Sequence, residues 1–174
     1  MPAAKLTRHA RFRPHDLLDM VADVGKYPEF IDLISQTRIG KKTELGAGRE
    51  RFEADAVISF KFLNETFRSL VDVDRNAMRV SVKKPDKAGA LKSLSNLWIF
   101  HELSDGSTLI EFEVDVRLKA LPLEFLLRDK FDKTSLYMIK KFEKRAEAIF
   151  EKLPETQLDL QAEVRRLGLG ALQV

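Results

Sequence analysis

The sequence predicts an α+β grip: a curved antiparallel sheet of about six to seven strands wrapped around one long C-terminal helix, with two short helices after the first strand. Three observations carry this. Apolar residues alternate with a period of two through most of residues 49–118. A single helical stripe follows Pro122. Helix signals also appear early, directly after one short alternating segment. One amphipathic helix covers only one face of such a sheet, so the sheet must curl to bury its apolar side.

Residues 5–13 (KLTRHARFR) read as the first strand. Pro14 suits a first helical turn, and Leu17, Leu18 and Val21 give the following helix, 14–22, its apolar face. Gly25 and Pro28 break that helix, and Phe30, Ile31 and Ile34 predict a second helical turn within 24–34. A polar strand is expected over 35–44, with a turn at Leu45–Gly48. The clearest strand is 49–62, with Phe52, Ala54, Ala56, Ile58, Phe60 and Phe62 on one face. Phe67, Ser69, Val71 and Val73 share a face in 65–75, and Met78, Val80 and Val82 follow the Asn76 turn. Residues 83–90 (KKPDKAGA) form a loop. Residues 91–103 are strand-like with ambiguous register, and 104–107 (SDGS) turn the chain. The last strand, 108–118, presents Ile110, Phe112, Val114, Val116 and Leu118 together. From Pro122 to about residue 152, Leu127, Phe131, Met138, Phe142, Ala146, Ile149 and Leu153 recur at helical steps, with Thr134 and Ser135 filling one gap. Pro154 ends that helix. Residues 1–153 are therefore read as one domain, and 154–174 as a tail without an assigned role. Gly168 and Gly170 weigh against helix in that tail.

Composition narrows the chemistry. The chain has 174 residues, no Cys, and 30 Lys+Arg against 27 Asp+Glu. Disulfides, thiol nucleophiles and Cys-based zinc sites are excluded, and bulk nucleic-acid or DNA binding is not indicated. His9, His15 and His101 are scattered without metal-ligand spacing, so no metal site is expected. Gly46-Ala47-Gly48 reads as a turn, not a phosphate loop. No stretch approaches a membrane span, and the basic N-terminus does not read as a secretory signal. Basic clusters at Lys5, Arg8, His9, Arg11 and Arg13, and at Lys83, Lys84, Lys87 and Lys92, read as solvated charge or as contacts for phosphate-bearing partners.

The aromatic balance is the more telling feature: 12 Phe against 1 Trp and 2 Tyr. Small Ala54 and Ala56, opposite Thr134 and Ser135, leave room inside the grip. A large apolar pocket satisfies this pattern, and so does a core filled by other side chains.

Four segments carry a family resemblance: VGKYPEF (24–30), AVISFKFLNETFRSLV (56–71), GALKSLSNLWIF (89–100) and LIEFEVDVRLKALPLEFLL (109–127). They resemble bacterial members of the coenzyme Q-binding START-like family within the SRPBCC superfamily. Its members are also known as polyketide cyclase/dehydrase-like proteins and as the ribosome association toxin RatA. The resemblance spans roughly residues 5–150 and implies a helix-grip fold of START/Bet v 1 type. It further implies a hydrophobic tunnel that holds ubiquinone or a related isoprenoid and supports respiration without catalysis. Ubiquinone would then be a carried ligand, not a cofactor. The implied sheet-side lining is Phe60, Phe62, Trp98, Phe112 and Val114. Leu127, Phe131, Thr134, Ser135 and Met138 would line the helix side, and Tyr27, Pro28 and Phe30 the mouth. The Trp98 indole N–H would orient a quinone oxygen. Where relatives commonly carry Trp after the proline-aromatic segment, this chain has Ile31-Asp32-Leu33. Two alternatives accompany the resemblance: a ribosome-associating regulator that contacts the large subunit, and a polyketide cyclase-like enzyme. For the enzyme, His101 is the least unsuitable catalytic candidate. The expected location is the cytoplasm, with peripheral contact at the inner membrane.

Overall fold

A computed structural model describes residues 3–60, 63–121, 124–125, 128 and 131–169. Phe62 and Leu127 lie outside the described residues, as do the side chains of Phe60 and Phe131. The chain folds as a helix grip. Strand β1 (Ala3–Ala10) leads into α1 (Pro14–Ala22) and a 3-10 turn (Val24–Glu29). Strands β2 (Ile34–Ile39), β3 (Thr43–Gly46), β4 (Arg49–Phe60), β5 (Leu63–Asp74), β6 (Arg79–Lys83), β7 (Leu91–Glu102) and β8 (Thr108–Leu118) follow. Helices α2 (Phe131–Ile149) and α3 (Leu160–Leu167) close the described chain. Among the described residues the sheet has eight strands, ordered β1-β8-β7-β6-β5-β4-β2, with β3 also pairing β4. Every pairing is antiparallel.

The extra strand comes from a break in the segment 35–44. Ile39 pairs Ala54 and Thr43 pairs Arg51, so Gly40–Lys42 carries one residue more than the facing stretch of β4. That surplus residue bulges and splits the ladder. The second helical turn also lies earlier than expected, at Val24–Glu29, with Pro28 inside it. Proline has no N–H to donate there. The Gly25 carbonyl instead accepts from the Thr37 hydroxyl at 3.3 Å.

The sheet's inner face packs on α1 and α2. Leu17, Leu18 and Val21 of α1 are buried, as the 14–22 pattern predicts. On α2 the buried stripe is Ser135, Ile139, Phe142 and Ala146. Ile149, expected on that stripe, is 46% exposed, because the stripe has rotated past it by the last turn. The tail is partly helical. Asp159 caps α3 by accepting from the Ala162 N–H at 3.1 Å, and Gly168 ends it in the left-handed conformation. Gly168 thus stops the helix and does not weaken its interior. Val164 packs with Leu103 and Leu109 on the sheet's outer face.

Gly89 joins the 83–90 loop to the sheet by bridging Phe67. Its φ is +63°, and an added Cβ would lie 2.5 Å from the Thr66 carbonyl oxygen. That oxygen also accepts from the Ala90 N–H at 3.2 Å. Gly89→Ala is therefore expected to destabilise the fold by about 2 kcal/mol or more, read as a lower urea midpoint with an unchanged slope.

Candidate ligand-binding interior

Pairing fixes which side chains face the helix. Trp98 pairs Phe112 and Val80, and Asn96 pairs Val114 and Val82, which settles the register of 91–103. The inner face of β7 therefore presents Leu94, Asn96, Trp98 and Phe100. Burial along this face falls over the middle of four strands and returns at the far end of β7 and β8, where Leu91 and Leu118 are buried with Ala88. Phe52 and Ala54 are buried, whereas Ala56 and Ile58 are half-buried. Val71 and Val73 are buried, whereas Ser69 and Phe67 are half-buried. Trp98 and Phe100, and Ile110 and Phe112, are buried; Asn96, Leu94, Val114 and Val116 are half-buried. The grip is thus closed by the main core at one end and by the smaller Leu91–Leu118 cluster at the other, with a half-buried, mostly apolar trough between them around Ala56, Asn96 and Val114.

The tight end is an aromatic cluster centred on Phe142. Its ring centroid lies 5.2 Å from Tyr27, 5.2 Å from Phe30 and 5.0 Å from Trp98, all edge-on. Trp98 meets Phe112 at 4.7 Å. The Tyr27 hydroxyl donates to the Val21 carbonyl. Burial, with Asp23 nearby, raises its pKa, so it remains a donor. Beside Tyr27 and the half-buried Pro28, the 3-10 segment is tied to α2. Lys141 pairs with Asp32 at 3.1 Å, and Arg145 pairs with Glu29 at 3.2 Å. The Arg145 guanidinium also stands 5.2 Å from the Phe30 ring centre.

A cavity of about 160 Å³ lies against this cluster, with Phe12, Met20, Trp98 and Phe100 in its walls. Arg8 and Glu143, 2.6 Å apart, stand at its rim. It is smaller than the roughly 300 Å³ at the low end of ordinary ligand pockets. The trough lies on the other side of the Trp98–Phe112 pair, toward Asn96 and Val114. Thr134 and Met138 are half-buried on α2 and Ser135 is buried. Met138 and Val114 both pack against the main core.

Two polar groups lie differently from the expectation. The Trp98 indole N–H donates to the Asn96 side-chain oxygen at 2.9 Å, and the Asn96 amide donates to the Glu113 carbonyl at 2.8 Å. The indole is therefore already satisfied, and the amide of Asn96 is the polar group next to the trough. His101 alternates with Trp98 and Phe100, so it faces outward, where its Nε2 lies 2.7 Å from Glu111. It does not point into the interior. The sequence reading missed Asn96 because the register of β7 was open; its parity with Trp98 is the signal that finds it. It also placed Phe142 on the stripe without seeing that three aromatic residues converge around it.

The sequence pattern of the family described as polyketide cyclase / dehydrase and lipid transport matches residues 11–143. The chain belongs to that family. The ribosome association toxin RatA of Rickettsia prowazekii (strain Madrid E) is 25% identical over 147 residues, covering 83% of this chain and 96% of that protein. An 18 kDa protein of Caulobacter crescentus is 28% identical with a TM-score of 0.69, covering 86% of this chain and 98% of its own. A START superfamily protein from Mycobacterium smegmatis shares the fold at a TM-score of 0.68 and 15% identity, covering 84% of this chain and 98% of its own.

Proposed function

We propose that this chain binds and carries ubiquinone or a related isoprenoid lipid in its interior without transforming it. The observation that carries this is the drop in burial along the middle of the inner face, between the main core and the Leu91–Leu118 cluster, which leaves a mostly apolar trough beside the Asn96 amide. Lipid transport is among the activities named for the family. In this reading Val114, Met138, Thr134 and Ser135 line the trough, and Trp98 and Phe112 form its floor. Tyr27, Pro28 and Phe30 close the narrow end against Phe142, latched by the ion pairs from α2. The Asn96 amide meets a ligand oxygen.

The test is organic extraction of the purified protein followed by mass spectrometry, with quinone binding measured in solution. An unaltered isoprenoid is the expected species. A chemically modified product would overturn the carrier reading in favour of a cyclase-like reaction. Ala56 is half-buried on the inner face. Ala56→Trp would fill the trough, and overpacking of about 1–3 kcal/mol predicts roughly a tenfold or greater loss of quinone affinity. Unchanged binding in a folded Ala56→Trp protein would sink the trough assignment.

The similarity to RatA favours a second reading, association with the large ribosomal subunit. Cosedimentation with large subunits at moderate salt tests it, and free protein remaining in the supernatant counts against it.

A further inference from the structure

The helical turn after β8 is inverted with respect to polarity. Leu121 is 78% exposed and Phe125 is 74% exposed. They stand one turn apart and so share a side of the turn. Glu124, between them, is buried. Its carboxylate accepts from the Leu118 N–H at 2.7 Å, and its own N–H donates to the Ala120 carbonyl at 2.9 Å. Arg117 at 3.7 Å and Arg128 at 3.6 Å neutralise that carboxylate. The turn is thus anchored with its acid inward and two large apolar side chains outward, the reverse of an ordinary surface helix.

Beside this pair the surface is basic. The Lys119 N–H donates to the Ala90 carbonyl at 2.9 Å, and Leu118 pairs Leu91. These contacts bring the 83–92 loop alongside the turn. Lys83, Lys84, Lys87, Lys92 and Lys119 are all exposed, against one exposed acid in the loop, Asp86. Two projecting apolar side chains beside a lysine-rich loop match a surface with a hydrocarbon interior beneath anionic headgroups. No described helix is long and apolar enough to cross a membrane, so such contact would be peripheral.

We infer that the Leu121–Phe125 turn and the lysines beside it dock this protein on an anionic lipid surface. The docking deepens the carrier reading and rests on it for its purpose. Leu121 and Phe125 enter the acyl boundary, and Lys87, Lys92 and Lys119 meet the headgroups.

The test is flotation of the full chain with vesicles of phosphatidylcholine alone or mixed with phosphatidylglycerol. The protein is expected to float with the mixed vesicles and not with the neutral ones, and added salt should weaken the binding. Leu121→Ser with Phe125→Ser should lower vesicle binding by about tenfold or more. Lys87→Glu with Lys92→Glu and Lys119→Glu should abolish the preference for phosphatidylglycerol. All five side chains are exposed, and an unchanged urea midpoint verifies that each variant folds. Equal binding to neutral vesicles, or undiminished binding of the Leu121/Phe125 variant, overturns the inference. So does a loss confined to large-subunit cosedimentation, which would make the patch a ribosomal contact. Quinone binding in solution is measured separately. If it persists without flotation, docking alone fails; if it is lost while flotation persists, the carrier reading alone fails.

Discussion

Replacing Phe142 with alanine is expected to cost about 3–5 kcal/mol of folding stability. Phe142 is buried and stands within 5.2 Å, centre to centre, of Tyr27, Phe30 and Trp98. Each edge-on ring contact contributes about 0.5–1.5 kcal/mol beyond the area it buries. Truncation removes three of them and leaves space beside the existing cavity, whose wall Phe142 already forms. The surrounding groups are poorly placed to collapse into that space. Trp98 is held by its bond to Asn96, and Tyr27 by its bond to Val21. A chain of this size loses about 2–4 °C in Tm per kcal/mol, so a drop of roughly 10 °C is expected by calorimetry or circular dichroism. Phe142→Leu retains most of the volume and should cost less than half as much. A shift of only a degree or two for Phe142→Ala would show that the cluster is not the centre of the core.

The contrast between Phe142 and Ile149 shows what periodicity can and cannot locate. Both fall on the helical stripe read from the sequence, yet one is the hub of the core and the other is exposed. Spacing identifies a face but not where the partner surface ends. The sheet's apolar face was legible because pleating forces strict alternation. Phe52, Ala54, Val71, Val73, Ile110 and Phe112 are buried as their parity requires. Register across strands is a different matter, because it depends on pairings between distant segments. That left Asn96 unassigned, His101 available as a catalytic candidate, and the Trp98 N–H free in the sequence reading. Pairing with β8 settles all three: Asn96 faces inward, His101 outward, and the indole is bonded. The family resemblance anticipated the fold from segments that themselves form β4, β5, β7 and β8. The inverted turn at Leu121 and Phe125 left no periodic trace, because its polarity is set by the arginines gathered around Glu124.

The polar network around Arg11 was equally invisible, since its members are far apart in sequence. Arg11 and Asp105 have side chains only 8% and 9% exposed, with an N–O distance of 3.0 Å. Arg11 also donates to the carbonyls of Leu153 and Pro154, and its own carbonyl accepts from the Leu153 N–H at 2.7 Å. Asp105 accepts from the Thr156 hydroxyl at 2.7 Å and from Ser107. This network straps the segment after α2 across the end of β1. Nearby, the His9 Nε2 lies 2.9 Å from the Ser107 hydroxyl; burial and then Arg11 lower the His9 pKa. For Asp105, burial alone would raise the pKa. The bonds from Ser107, Thr156 and Arg11 outweigh it and hold the carboxyl well below its ordinary 3.8. A carboxyl lowered in the folded state contributes stability that is present above the unfolded value and lost as pH falls below it. Arg11→Met removes the cation and leaves Asp105 buried, so stability at neutral pH should fall by about 3 kcal/mol. Because the carboxyl is then less depressed, the further loss between neutral pH and about pH 3 should be smaller than in the parent. Adding Asp105→Leu removes the stranded charge and should recover part of the deficit. Urea unfolding of the three proteins at both pH values reads all of this. Equal midpoints for parent and Arg11→Met at neutral pH would show that the strap is held by its apolar contacts alone.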